Sequence, residues 1–250
     1  MSAIAAEIAA VADLRLLAAA LATLVAGVMR GYAGFGTAVL LAPIYSTLWG
    51  PLAGVPVMLL LELAVSAQLL PRSWREADRP LILPIGITAC LATPLGAWLL
   101  VAAEPEALRR FMGGFVLVFG LLLLSPWRYH GPRPLPLNMG VGLVAGILKG
   151  ATGISGPPVI LYLLSGPDEA RRHRANLILF FGLIAVVSIV MPIALGLITW
   201  AVLLKLVVMV PVMTAGILLG ARLFGILPVR FYRPFALLSL VSAGLLALLA

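Results

Sequence analysis

Long apolar runs, separated by short clusters of proline, glycine or charge, follow one another along nearly the whole chain. Most of them approach or exceed the length of about 20 residues that an α-helix needs to cross a hydrocarbon layer of about 30 Å. They lack the strict alternation of apolar and polar positions that marks the strands of a membrane barrel. The pattern therefore predicts an all-α polytopic membrane protein.

Two of these runs, residues 14–48 and 137–164, are too long for one ordinary crossing, and both are interrupted by glycines. The two runs also match each other in sequence. AGVMRGYAGFG (26–36) aligns with AGILKGATGIS (145–155), with glycine on glycine and Arg30 on Lys149, 119 positions later. The chain is therefore predicted to be a duplication in which each copy begins with a broken helix.

Basic residues predict how the two copies are oriented. The net charge is +8, and the arginines cluster in short loops beside apolar runs, as orientation charges do, so the charge does not indicate a nucleic-acid partner. If both long runs enter and return as hairpins, the basic loops around 72–79, 128–133, 171–174 and 222–233 all face the cytoplasm. Both termini then face the opposite side. Each copy has a hairpin plus three crossings, an odd number, so the copies are predicted to be inverted repeats.

The predicted boundaries divide one membrane domain into two repeats. The first repeat, residues 1–128, contains a hairpin and three helices, at 14–48, 54–70, 79–102 and 107–124. The second repeat, residues 129–250, contains the corresponding elements at 137–164, 174–195, 198–224 and 229–250.

Matching glycine-interrupted segments in two halves of a membrane protein indicate a binding site built from broken helices. The second segment of a broken helix starts with unpaired N–H groups and a positive dipole end, which suit an anion. The alternative interpretation is that these glycines serve close helix packing. The predicted substrate-binding residues are Arg30, Gly31, Gly34, Phe35, Gly36 and Thr37 in the first hairpin, and Lys149, Gly150, Thr152, Gly153, Ser155, Gly156 and Pro157 in the second.

Other polar residues inside apolar runs are further candidates. Glu62 is interpreted either as a proton carrier or as a static ion-pair partner of Arg30, and both interpretations stay open. Asn176 is a secondary candidate. No spacing of His, Cys or carboxylate residues resembles a metal site, and no phosphate-binding loop is present. We therefore expect no metal, no cofactor and no enzymatic activity.

At these residues the sequence resembles the TauE/SafE family of sulfite exporters, also called the TSUP family. The resemblance rests on GVMRGYAGFGTAVLLAP and GILKGATGISGPPVILYLL and extends over essentially the whole chain. It implies transport of small anions, typically sulfite, sulfoacetate and other organosulfonates or sometimes small carboxylates, across the cytoplasmic membrane. Tyr32, Ala33 and Thr37 stand where a denser glycine run is common in the family, and Ser155 interrupts the second motif.

Residues and resemblance together predict a secondary transporter in a bacterial inner membrane. The expected activity is export of a small sulfur-containing anion by alternating access, with proton coupling through Glu62 as an option. The expected partners are the anion and the lipid bilayer, with no nucleic acid, and a homodimer is left open. The alternatives are a small-carboxylate carrier and a passive anion channel.

Overall fold

The computed structural model describes residues 14–102, 129, 131–152, 155–166 and 168–227. Within these ranges every regular element is a helix. Five of the helices are long and apolar enough to cross a membrane. The prediction of an all-α polytopic membrane protein is confirmed.

In the first half, the first long run forms two helices, α1 (Leu14–Ala33) and α2 (Thr37–Trp49). The chain leaves the helix at 34–36, where Gly34 and Gly36 have φ of +86° and +108°. Residues with a Cβ rarely adopt such angles, so the glycines make this break possible. Helix α3 (Pro51–Glu76) then runs six residues beyond the predicted end at 70, through Pro71, and an ion pair between Arg72 and Glu76 lies in its last turn.

Helix α4 (Arg79–Ala102) has the bounds that the sequence predicts. The predicted helices at 107–124 and 229–250 lie outside the described residues. The second half continues with α5 (Leu135–Thr152), α6 (Gly156–Leu164), α7 (Ala170–Ser188), α8 (Val190–Ala194) and α9 (Trp200–Ile226). Because α7 begins one turn before the predicted start at 174, the arginines expected in a loop belong to its first turns.

The helices of the two halves exchange partners. Helix α1 packs most extensively against α9, and α5 packs in the corresponding way against α4, while α3 and α7 pack against each other. Glycines allow the close approach: a Cβ on Gly27 would lie 2.7 Å from the Met213 carbonyl oxygen, and one on Gly146 would overlap the Ala89 carbonyl. The first helix of each hairpin is therefore held by a helix from the other half.

Two apolar cores result from this exchange. We call α1, α2, α3 and α9 the first bundle, and α4, α5, α6 and α7 the second bundle, because each set shares one core. Three buried residues at the tip of the first hairpin, Tyr32, Ala33 and Phe35, lie in the core of the second bundle, and Leu70 of α3 and Leu223 and Phe224 of α9 also pack against it. The first helix break therefore lies at the junction of the two bundles.

Candidate functional site

Arg30 lies in the last turn of α1 and is completely buried. Its Nη2 donates to Ser66 Oγ at 3.1 Å, and its Cζ lies 5.2 Å from the ring centroid of Phe181. The other two guanidinium nitrogens, Nε and Nη1, are enclosed and have no hydrogen-bond partner in the described part of the chain. Enclosed donors without partners are costly, so these nitrogens are well suited to a ligand that supplies acceptors.

The charged neighbours of Arg30 leave an excess of positive charge. Glu62 attracts the guanidinium electrostatically, and Arg174 repels it. Glu62 is 3% exposed and lies one helical turn before Ser66 on α3, yet it forms no ion pair with Arg30. Two guanidinium groups and one carboxylate sum to a net charge of about +1 when all three are ionised, which one bound anion would neutralise.

The second guanidinium stabilises the first helix break. Arg174 Nε donates to the Gly31 carbonyl at 2.8 Å, and its Cζ lies 5.1 Å from the ring centroid of Phe224. A basic side chain that bonds a carbonyl in the last turn of a helix compensates the negative end of the dipole. Gly34 packs against the same residue, since a Cβ there would lie 2.8 Å from the Arg174 carbonyl oxygen. Helix α7 thus holds the end of α1 in place.

Helix α2 begins without a side-chain cap. Gly36 is its N-cap residue and has no side chain to accept from the first backbone N–H groups. The hydroxyl of Thr37 is enclosed and has no partner among the described residues. The first three N–H groups of a helix have no intrahelical acceptor. The start of α2, seven residues after Arg30, is therefore a second place in the first hairpin with donors that have no acceptor from a side-chain cap.

In the second hairpin the corresponding features are weaker. Lys149 is half-buried, makes no hydrogen bond or ion pair with a described residue, and is not among the charges that act on Arg30. Helix α6 begins with Gly156, Pro157 and Pro158, and the prolines have no N–H to donate. A Cβ on Gly156 would lie 3.2 Å from Cζ of Phe181, the same ring that contacts Arg30.

Three of the predicted site residues pack against neighbouring helices or in an apolar core. Gly31 and Gly150 face the backbone of neighbouring helices, at Ile217 and Thr93, as the packing alternative expects. Phe35 is in the apolar core of the second bundle. These three residues position the hairpins and do not contribute donors to the space around Arg30.

The remaining predicted residues lie as follows. Asn176 accepts a hydrogen bond from the Asp78 N–H at 2.8 Å and so joins α7 to the turn between α3 and α4. Ser155 is buried immediately before α6, and Thr152 is the last residue of α5. Gly153 lies outside the described residues. Within those residues no group of three or more His, Cys, Asp or Glu is placed to hold a metal ion.

Sequence reasoning did not select three residues that contact or act on the site: Ser66, Arg174 and Phe181. One signal could have found Phe181, because it stands 119 positions after Glu62, the same spacing that separates Lys149 from Arg30. Both Glu62 and Phe181 lie near the middle of 25-residue candidate spans, Leu52–Glu76 and Ala170–Ala194. Arg30 reaches Ser66 and Phe181, which both lie near the middle of these spans.

The fold is that of a multi-pass helical membrane protein, and a buried cation lies where its two bundles meet. Residues 19–247 match the model of a family described as sulfite exporter TauE/SafE. The chain therefore belongs to the TauE/SafE family, a family of membrane transporters and not of enzymes.

A named relative agrees with the family match. The chain is 28% identical over 199 residues to the probable sulfite/organosulfonate exporter TauE of Cupriavidus necator, and the match covers 76% of each chain. No solved structure matches.

Proposed function

We propose that this transporter exports a small sulfur-containing anion, such as sulfite, sulfoacetate or a related organosulfonate, across the bacterial cell membrane. The observation that carries the proposal is Arg30, a fully buried guanidinium with two nitrogens that have no hydrogen-bond partner within the described ranges. Oxygens of a sulfite or sulfonate group would accept charge-assisted hydrogen bonds from them. Similarity to a probable sulfite/organosulfonate exporter supports the choice of a sulfur oxyanion.

Alternating access is the proposed mechanism. The first hairpin belongs to one bundle, but its tip is buried in the core of the other, and Arg30 lies directly before that tip. A shift of one bundle against the other would therefore change which side of the membrane reaches the guanidinium. In a passive channel, by contrast, the site would be open to both sides at once.

Glu62 is proposed to couple proton movement to anion movement. Its carboxylate and the anion would both interact with Arg30, and Arg174 adds a second positive charge. Release of the Glu62 proton together with the anion would keep the net charge of the buried site constant, which a low-dielectric site favours. In the Glu62→Gln variant, anion exchange between two equally loaded compartments should persist, while accumulation driven by a pH gradient should be lost. Loss of both activities together would indicate the static ion-pair role instead.

Counterflow of radiolabelled sulfite or sulfoacetate in proteoliposomes tests the site. We expect saturable flux in the wild type and at least about tenfold weaker apparent affinity in Arg30→Gln, because a charge-assisted hydrogen bond is worth roughly 1.5–3 kcal/mol. Lys149→Gln is the matched control, since it removes the cation at the equivalent position of the other repeat. Flux that does not saturate, or an apparent affinity that is unchanged in Arg30→Gln, would exclude a carrier with this site.

Competition identifies the class of anion. Methanesulfonate and acetate are close in size, but the sulfonate presents three oxygens and the carboxylate two. Inhibition of counterflow by methanesulfonate at lower concentration than acetate supports a sulfur oxyanion. The reverse order would assign the carrier to small carboxylates.

Orientation in the membrane is proposed from the basic loops. In a Cys90→Ala background, a cysteine introduced at Arg171 should react with an impermeant thiol reagent only from the cytoplasmic side. One introduced at Gly196, in the loop before α9, should react only from outside. Labelling of the Arg171 position from outside would contradict both the proposed orientation and the inverted-repeat topology.

A further inference from the structure

A groove opens beside the turn between α3 and α4 and shares no residue with the surroundings of Arg30. Its volume is about 510 Å³, and its walls are formed by Trp74, Arg79, Pro80, Leu83 and Pro84. Arg79 is the charged residue among these five. The groove thus combines a cationic end with an apolar wall.

The guanidinium of Arg79 is available to a ligand. It lies 5.5 Å from the ring centroid of Trp74 and has no carboxylate partner among the described residues. The neighbouring Asp78 is engaged elsewhere, since its Oδ1 accepts from the Leu81 N–H at 3.3 Å. Four other arginines of the described ranges do pair with carboxylates: Arg72, Arg133, Arg171 and Arg172. Stacking on an aromatic ring leaves the N–H edge of a guanidinium free to bind a phosphate.

A hydrogen-bond acceptor stands next to this cation. Pro84 is inside α4 and has no N–H, so the carbonyl of Pro80 lacks its usual helical donor. Trp74 is 41% exposed, as expected of a tryptophan at the boundary between headgroups and acyl chains. From the turn inward, the groove therefore offers a cation, a carbonyl without its i+4 helical donor, and then an apolar surface on Leu83 and Pro84.

We infer that this groove binds an anionic glycerophospholipid whose headgroup carries a hydroxyl group. The phosphate would pair with Arg79, a headgroup hydroxyl would donate to the Pro80 carbonyl, and an acyl chain would lie along Leu83 and Pro84. Charge complementarity selects an anionic lipid, and the apolar wall distinguishes a lipid from free phosphate.

Thermal unfolding of the purified full chain in detergent, titrated with phosphatidylglycerol, tests this inference. We expect the lipid to raise the Tm of the wild type, and Arg79→Gln to need about fivefold more lipid for half of that shift. Arg75→Gln is the matched control, because it removes the same charge from an exposed position on α3 that does not line the groove. Its half-saturating concentration should change less than twofold.

A second variant tests the apolar part of the groove. Leu83→Trp should fill the apolar part of the groove while leaving Arg79 in place. It should weaken phosphatidylglycerol binding without affecting sulfite counterflow. Three results would overturn the inference: equal stabilisation by phosphatidylcholine, equal effects of Arg79→Gln and Arg75→Gln, or the full Tm shift from inorganic phosphate alone. Because the readout is lipid-dependent stability, failure here does not bear on anion transport through Arg30.

Discussion

The two hairpins share a glycine pattern and a cation at the same position, but their surroundings differ. In the first hairpin, Arg30 is completely buried, two of its nitrogens have no partner among the described residues, and no side chain caps the start of α2. In the second, Lys149 is half-buried, and two prolines occupy the first turn of α6. The matching glycines therefore have the same packing role in both hairpins, while the fully buried cation is in the first.

A second difference concerns how the hairpins are held. Tyr162 in α6 donates to Asn138 Oδ1 in α5 at 2.6 Å, and Arg133 donates to the Tyr162 carbonyl at 2.8 Å. Arg133 also pairs with Asp168. These contacts tie the two helices of the second hairpin together near the base, far from its tip. In the first hairpin, α1 and α2 are joined away from the tip by a hydrogen bond between Thr23 and Tyr45. Arg174 also holds the break of the first hairpin, and this contact at the tip is what the first copy adds.

The largest effect is expected where the two copies are alike. Gly31→Val and Gly150→Val each place a branched side chain against the backbone of a neighbouring helix, so both should lower thermal stability severely or prevent folding. Gly225→Ala, in α9 with open space around it, is the control and should leave the Tm within about 2 °C. Tolerance of valine at one of the two positions would show that the packing is not equivalent.

Removing the cation should affect sulfite binding differently in the two copies. Arg30→Ala is expected to weaken sulfite binding more than tenfold, and Lys149→Ala less than about threefold, because a cation that is part-exposed to solvent contributes little. Isothermal titration of the purified protein with sulfite measures both constants. Equal losses would contradict the functional asymmetry and restore a symmetric, two-cation site.

A smaller effect is expected at the start of α2. Thr37→Val removes a hydroxyl that has no partner in the described protein, so the free protein should not lose stability. Anion affinity should fall about two- to tenfold if the hydroxyl donates to the ligand. Ser155→Ala, at the start of α6, is the counterpart and should change affinity less. Unchanged affinity in Thr37→Val would remove this residue from the site.

The smallest effect concerns the base of the second hairpin. Tyr162→Phe deletes the hydrogen bond to Asn138 and should lower stability by about 1 kcal/mol, with anion affinity unchanged. Tyr129→Phe deletes an exposed hydrogen bond to the Pro132 carbonyl and should cost less. A change in transport rate at constant affinity would show that movement at this base limits transport.

Much of the fold was predictable because it depends on local composition. Apolar length predicts the spans, and the glycines at 34 and 36 predict the break, since they tolerate the positive φ that the turn requires. The paired motif also identified Arg30. Spacing could not separate glycines that permit a turn from Gly31 and Gly150, which permit helix contact, because that distinction depends on what lies opposite.

Residues from distant parts of the chain were harder to predict. Ser66, Arg174 and Phe181 meet Arg30 only because α3 and α7 pack against each other across the two halves. The sequence predicts Arg174 to lie in a loop beside other arginines. In the structure it is buried, and its Nε donates to the Gly31 carbonyl. Nothing local to residue 174 encodes that contact.

The amino-acid sequence alone determined an apolar, multi-span helical chain with two matching glycine motifs that each contain a cation, because length, apolarity and backbone freedom are properties of single segments. Only the tertiary structure decided that Arg30, and not Lys149, is fully buried with donors that have no partner among the described residues. This outcome depends on how helices of one half pack against helices of the other. Burial and hydrogen-bond satisfaction depend on every neighbour of a group, and those neighbours are assembled by packing.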